Sequence, residues 1–170
     1  MSSSWRDGCP VALDDLRYLT LSYWNFDGQP VEGELVVNAS VALEVVNVFQ
    51  KMFAAEFPIQ GMRLVAEYGA DDNLSMAANN TSAFNCRFVA GTQSWSKHAL
   101  GRAIDINPLV NPYIQGSKID PPGGAEFADR TIDFLGSINV GGDVTTAFAD
   151  IGWSWGGAWT WPDYQHFSAP

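Results

Sequence analysis

The spacing of apolar residues changes several times along the chain, and each change marks an element. The runs 16–24 and 34–37 flank Asn25-Phe26-Asp27-Gly28-Gln29-Pro30, whose Asp-Gly step is a turn signal, so the two read as a β-hairpin. From Asn38, a residue suited to cap a helix, the period lengthens. Val41, Val45, Val48, Phe49, Met52 and Phe53 fall on one face, while Glu44, Asn47, Gln50 and Lys51 fill the other. This predicts an amphipathic helix, ended by Pro58.

Further on, 62–68 has the composition of a strand, 69–82 is polar and reads as an exposed loop, and 84–89 returns to strand character. Within 102–107, alternation sends Ile104 and Ile106 to one face and Ala103 and Asp105 to the other, so Asp105 faces away from the core and Arg102 is structural. The four prolines and three glycines of 107–124 predict a long surface excursion. Asp143 is placed to cap a short helix that turns Val144, Phe148 and Ile151 inward, and 153–167, dense in Trp and Gly, reads as strand, loop, strand. The fold class expected is α+β: one domain over 1–170, a small antiparallel sheet with helices on one side. In it, 1–37 form an N-terminal extension and hairpin, and 38–170 the core that carries the chemistry.

Length and charge narrow the function. A chain of 170 residues, 46% hydrophobic, buries one substantial core with little left for a second. A net charge of −10 disfavours nucleic acid and anionic membrane surfaces as partners, and no apolar run approaches the ~20 residues of a membrane span. The start, 1–6, lacks the basic region and apolar run of a signal peptide; a trimmed exported protein and a phage lysis enzyme released by another route both fit. A monomer is expected. Cys9 and Cys86 are the only cysteines, and spacing leaves two readings open, a disulfide or two buried thiols. The sequons at Asn38, Asn79 and Asn80 read as chance.

Candidate chemistry gathers at the only two histidines. They lie in Ser96-Lys97-His98-Ala99-Leu100-Gly101-Arg102-Ala103-Ile104-Asp105 and in Asp163-Tyr164-Gln165-His166. Two imidazoles and a carboxylate suit Zn²⁺, and three protein ligands leave a fourth position for water. The expected ligands are His98, Asp105 and His166 around one ion, with Asp163 held close as the base. A turn must bring His98 to Asp105, and Gly101 is placed to supply a positive φ or a close approach. Ser96 either hydrogen-bonds substrate or caps that turn. Of the tryptophans, Trp153 and Trp155 read as core, Trp159 and Trp161 as cleft residues that meet substrate.

The first motif, followed by Trp155-Gly156-Gly157-Ala158-Trp159 and then Asp163-Tyr164-Gln165-His166-Phe167, resembles the zinc peptidases of bacterial cell walls. These are the D-alanyl-D-alanine carboxypeptidases, D-Ala-D-Ala dipeptidases and phage L-alanyl-D-glutamate endopeptidases, which share their fold with the hedgehog signalling domain. The resemblance reaches upstream to Ser82-Ala83-Phe84-Asn85-Cys86-Arg87. It implies a zinc ion on His98, Asp105 and His166, Asp163 as general base, and Arg87 as the cation that holds the scissile carbonyl and its developing oxyanion. It also implies a peptidoglycan stem peptide as substrate. The Phe-Asn-Cys-Arg and Asp-Tyr-Gln-His segments lean toward the D,D-carboxypeptidase branch, with an endopeptidase or a non-catalytic, hedgehog-like zinc domain as alternatives. A cell-wall-binding aromatic module would explain the tryptophans but not the histidines.

Overall fold

A computed structural model describes residues 3–170 and shows a small α+β domain with several short sheets. Of the start read for a leader, Met1 and Ser2 lie outside the described residues. The hairpin forms as β1 (Leu16–Trp24) and β2 (Pro30–Asn38), paired antiparallel from Leu16 opposite Asn38 to Trp24 opposite Pro30. Asn25 closes its turn, since Oδ1 accepts from the backbone N–H groups of Asp27 and Gln29.

Asn38 does cap, but it caps a single 3-10 turn, Ala39–Val41, from which α1 (Ala42–Ala54) continues. The helix stops before Pro58: Glu56 already adopts a left-handed φ of 54°. The face predicted from the period is the buried one, with Val45, Val48, Phe49 and Met52 at 2% exposure or less. Burying each such side chain contributes roughly 1.5–3 kcal/mol before conformational entropy is subtracted.

Three stretches depart from the sequence reading. Only β3 (Gly61–Met62) of the strand expected at 62–68 forms; Val65–Tyr68 is a 3-10 turn. The supposed exposed loop at 69–82 holds α2 (Asp72–Ala77), capped by Asp71, and β4 (Asn80–Thr81), which runs parallel to β3. Asn79, Asn80 and Thr81 are fully buried because their side chains replace strand hydrogen bonds: Asn80 alone accepts from Arg63 N–H and donates to Arg63 O and Ser75 Oγ. The segment 84–89 is buried at its start yet makes only an isolated bridge, Phe88 to Trp95.

The excursion after Asn107 is more regular than its prolines suggest. It contains the hairpin β6 (Tyr113–Gln115) and β7 (Lys118–Asp120), turned by Gly116 at φ 59°, and a 3-10 segment, Pro122–Phe127. Arg130 staples this region together, donating to the carbonyls of Val110 and Ile138 and to Asn111 Oδ1, with its guanidinium 4.5 Å over the ring of Tyr164. The helix α3 (Asp143–Ala149) forms as expected, although Gly142 takes the cap position and Asp143 is its first residue.

The central sheet has the order β5 (Ala103–Asp105), β9 (His166–Ser168), β8 (Ser154–Trp155), all antiparallel. The antiparallel sheet of the expectation is thus three strands, and the remaining strands pair in three separate two-stranded pieces, one of them parallel. Helices α1 and α3 pack under one face of this sheet, where Ile104 and Phe167 join Val45, Phe49 and Phe148 in one core. Phe148 stacks on Phe167 at 4.1 Å. A smaller apolar cluster of Val11, Leu16, Val36, Phe84 and Cys86 lies under the N-terminal segment, which the Cys9–Cys86 disulfide ties down. No helix of the described residues is long and apolar enough to cross a membrane.

Candidate metal centre and cleft

Strand alternation puts chemistry on the face that the helices leave free. Asp105 stands opposite His166 across β5 and β9, and Ile104 stands opposite Phe167. Because cross-strand partners share a face and neighbours alternate, Ile104 and Phe167 anchor the core while Asp105 and His166 turn away from it together. His98 arrives from a 3-10 turn, Lys97–Leu100, in which Ser96 Oγ accepts from His98 N–H at 3.2 Å. Gly101 ends that turn at φ 66°, and a Cβ there would sit 2.6 Å from the backbone nitrogen of Asn38. Both services expected of this glycine are therefore used.

The three side chains meet. Asp105 Oδ1 lies 2.9 Å from His166 Nδ1, Asp105 Oδ2 lies 3.1 Å from His98 Nε2, and the two ring nitrogens are 3.3 Å apart. A tetrahedral ion with bonds of ~2.0–2.1 Å has ligand atoms roughly 3.3 Å from one another, so the triangle is already close to the edge lengths that zinc requires. His98 Nδ1 is bonded to the carbonyl of Ala83 at 2.6 Å, which orients the ring and leaves Nε2 to face the other ligands. The set has the donors and the spacing for a divalent ion.

Electrostatics within this buried group are strongly coupled. Burial pulls the His98 imidazole down, but Asp105 outweighs it and the net shift is upward. Burial pushes the Asp105 carboxyl up, yet the two imidazoles, His98 foremost, hold it well below the usual carboxylate range. Asp163 goes the other way, pushed up to about 8 by burial first and by the negative charge of Asp105 second.

Asp163 reaches the cleft through a tight loop. Its N–H donates to Gly156 O, and a Cβ on Gly156 would lie 2.7 Å from Asp163 O and 3.0 Å from its Cβ, so only glycine permits the approach. One carboxylate oxygen, Oδ1, is buried with no hydrogen-bond partner. The β6–β7 hairpin buttresses this loop, because Ile114 N–H donates to Pro162 O and Tyr113 bridges Asp163.

A cleft of about 510 Å³ opens over these groups and is lined by His98, Asp105, His166, Asp163, Arg87 and Ser96. Trp159, 47% exposed, also lines it, with its ring 5.4 Å from that of His166. Trp161 is exposed but is not among the lining residues, and Trp153 is buried. Ser96 is mostly spoken for by its turn and 5% exposed. Several lining residues escaped the sequence reading: Asp72 and Met76 on α2, Gln165 beside His166, and Tyr113, Gln115 and Lys118 on the hairpin. Gly116-Ser117 between Tyr-Ile-Gln and Lys-Ile-Asp was the signal that would have found that hairpin.

Two serines carry spacings familiar from covalent hydrolases, and neither is built as a nucleophile. Ser154, in Gly152-Trp153-Ser154-Trp155-Gly156, lies on β8 with Oγ against Ser168, not on a strand-to-helix elbow. In Ser94-Trp95-Ser96-Lys97, the Lys97 ammonium donates to Ala169 O and Ser94 lies outside the cleft lining.

No curated protein and no solved structure matches the chain. Residues 90–169, which include His98, Asp105, Asp163 and His166, match the model of the family described as D-alanyl-D-alanine carboxypeptidase, in agreement with the resemblance that the two motifs carry.

Proposed function

We propose that the chain is a zinc peptidase that hydrolyses an amide bond in peptidoglycan stem peptides, with D-alanyl-D-alanine carboxypeptidase as its activity, on the fold shared with the hedgehog domain. One observation carries the reading: His98 Nε2, Asp105 and His166 Nδ1 converge within hydrogen-bond distance at the floor of a cleft that Asp163 and Arg87 also line. These three residues would hold a zinc ion, which would supply Lewis acidity toward a carbonyl and a water.

The remaining chemistry belongs to the side chains. Asp163 takes the proton of the attacking water and hands it to the leaving amine. Arg87 donates to the oxyanion as charge grows on it. Gly156 and the β6–β7 hairpin keep the base in place. Binding alone would need neither base nor oxyanion cation, so their presence in the cleft favours turnover over a purely recognising zinc domain. The Cys9–Cys86 bridge supports a working place outside the reducing cytosol, in the periplasm or cell wall, or release as a phage lysis enzyme.

Digestion of a synthetic stem pentapeptide and of purified peptidoglycan, followed by mass spectrometry, tests the reading. Loss of the terminal alanine is expected. Internal cleavage would reassign the chain to the endopeptidases, and intact substrates with zinc bound would leave only the binding domain.

A further inference from the structure

Arg87 is held by more than its own backbone, and the group that holds it lies upstream of the family-matched segment. Its Nη2 donates to Asp72 Oδ2 at 2.7 Å, and both side chains are largely withdrawn from solvent, at 29% and 23% exposure. The other carboxylate oxygen of Asp72 accepts from the amide of the buried Asn85 at 3.4 Å. Asp72 itself is fixed at the start of α2, where Asp71 Oδ1 caps the helix through the N–H groups of Asn73 and Leu74.

The backbone of Arg87 is strapped to the metal-binding turn from the other side. Ser96 N–H donates to Arg87 O, and Asn85 N–H donates to His98 O. We infer that Asp72 is a positioning residue for the peptidase reaction: its carboxylate holds the Arg87 guanidinium at the wall of the cleft, at a fixed place relative to His98. The inference rests on the peptidase reading above.

The physical need is specific. Arg87 ends a long, flexible stem beside two further carboxylates, Asp105 and Asp163, in the same cleft. Released from Asp72, the cation would be drawn to those groups, which the metal and the proton shuttle require. Held by Asp72 through Nη2, the guanidinium still has further N–H groups to offer a substrate oxygen. Part-exposed ion pairs contribute little to stability, so this one matters for where the cation stands rather than for folding.

The test uses the zinc-loaded full chain with a stem pentapeptide as the probe, comparing wild type, Asp72→Asn, Asp72→Glu, Arg87→Ala and the double variant Asp72→Asn/Arg87→Ala. Asp72→Asn is expected to lower kcat about 10- to 100-fold, the loss typical of a misplaced catalytic group, with KM, zinc content and melting temperature little changed. Asp72→Glu should recover part of the rate, and Asp72→Asn should cost nothing further once Arg87 is alanine. A wild-type rate in Asp72→Asn, or an equal loss with and without Arg87, overturns the inference while leaving the peptidase reading intact. If wild type cleaves no stem peptide, the peptidase reading fails and takes the inference with it.

Discussion

The disulfide gives a stability prediction whose size follows from topology. Cys9 and Cys86 are 77 residues apart, and closing a loop of that length removes about 15 cal/mol/K of entropy from the unfolded chain, or about 4.5 kcal/mol at 25 °C. Small domains have only about 5–15 kcal/mol of net stability, so the bridge is a large fraction of it. The double variant Cys9→Ala/Cys86→Ala removes the tether while keeping an apolar group at Cys86, which is 1% exposed in the cluster with Val11, Leu16, Val36 and Phe84. Urea unfolding of both proteins at one fixed zinc concentration should show a loss of about 2–4.5 kcal/mol, a midpoint lower by roughly 1–2 M for a chain of this size. Coincident midpoints would show that the bridge does not stabilise the fold. The same variant has a functional arm, since Cys86 precedes Arg87 and its N–H donates to Ser4 O. Loosening that segment should slow cleavage before it lowers zinc content.

Two further outcomes follow from the site. Asp163→Asn keeps the shape of the carboxyl but cannot take a proton, so it should retain zinc and lose about 10²–10⁴-fold in kcat; undiminished turnover would remove Asp163 from the proton path. Zinc affinity should rise steeply with pH. In the metal-free chain the raised pKa of His98 means that its pairing with Asp105 stabilises the fold fully below about pH 6.5 and is lost as pH climbs through the higher folded value. The depressed pKa of Asp105 makes its contribution present above the ordinary carboxylate range and lost only in strong acid. Zinc has to displace the His98 proton, so calorimetric titrations at pH 5.5, 6.5 and 7.5 should show successively tighter binding, and a flat series would contradict the coupling.

The convergence of His98, Asp105 and His166 was legible because it depends on short-range pattern. Alternation within 102–107 was enough to separate Ile104 and Ile106 from Asp105, and the three-residue step from Asp163 to His166 kept those two side chains close along the chain. Helix α1 was legible for the same reason, as its apolar period is unbroken. What escaped was structure held by side chains rather than by periodicity. Asn79 and Asn80 look like loop residues by composition, yet they are buried because their amides satisfy backbone groups. Asp72 fell within a polar stretch that read as an exposed loop, and its ion pair with Arg87 depends on a tertiary approach that no local pattern announces. The two serine motifs teach the converse: Ser154 fits a nucleophile spacing by chance, and its place on β8 rules the role out.

The proposed chemistry requires one divalent ion on His98, Asp105 and His166 with room left for solvent. A crystal structure of the zinc-loaded protein, with anomalous data across the zinc edge, tests it most directly. A single peak is expected, bonded to His98 Nε2, His166 Nδ1 and an Asp105 oxygen at ~2.0–2.2 Å, with a fourth position open to the cleft. A peak elsewhere, or Asp163 completing the shell as a fourth protein ligand, would contradict it.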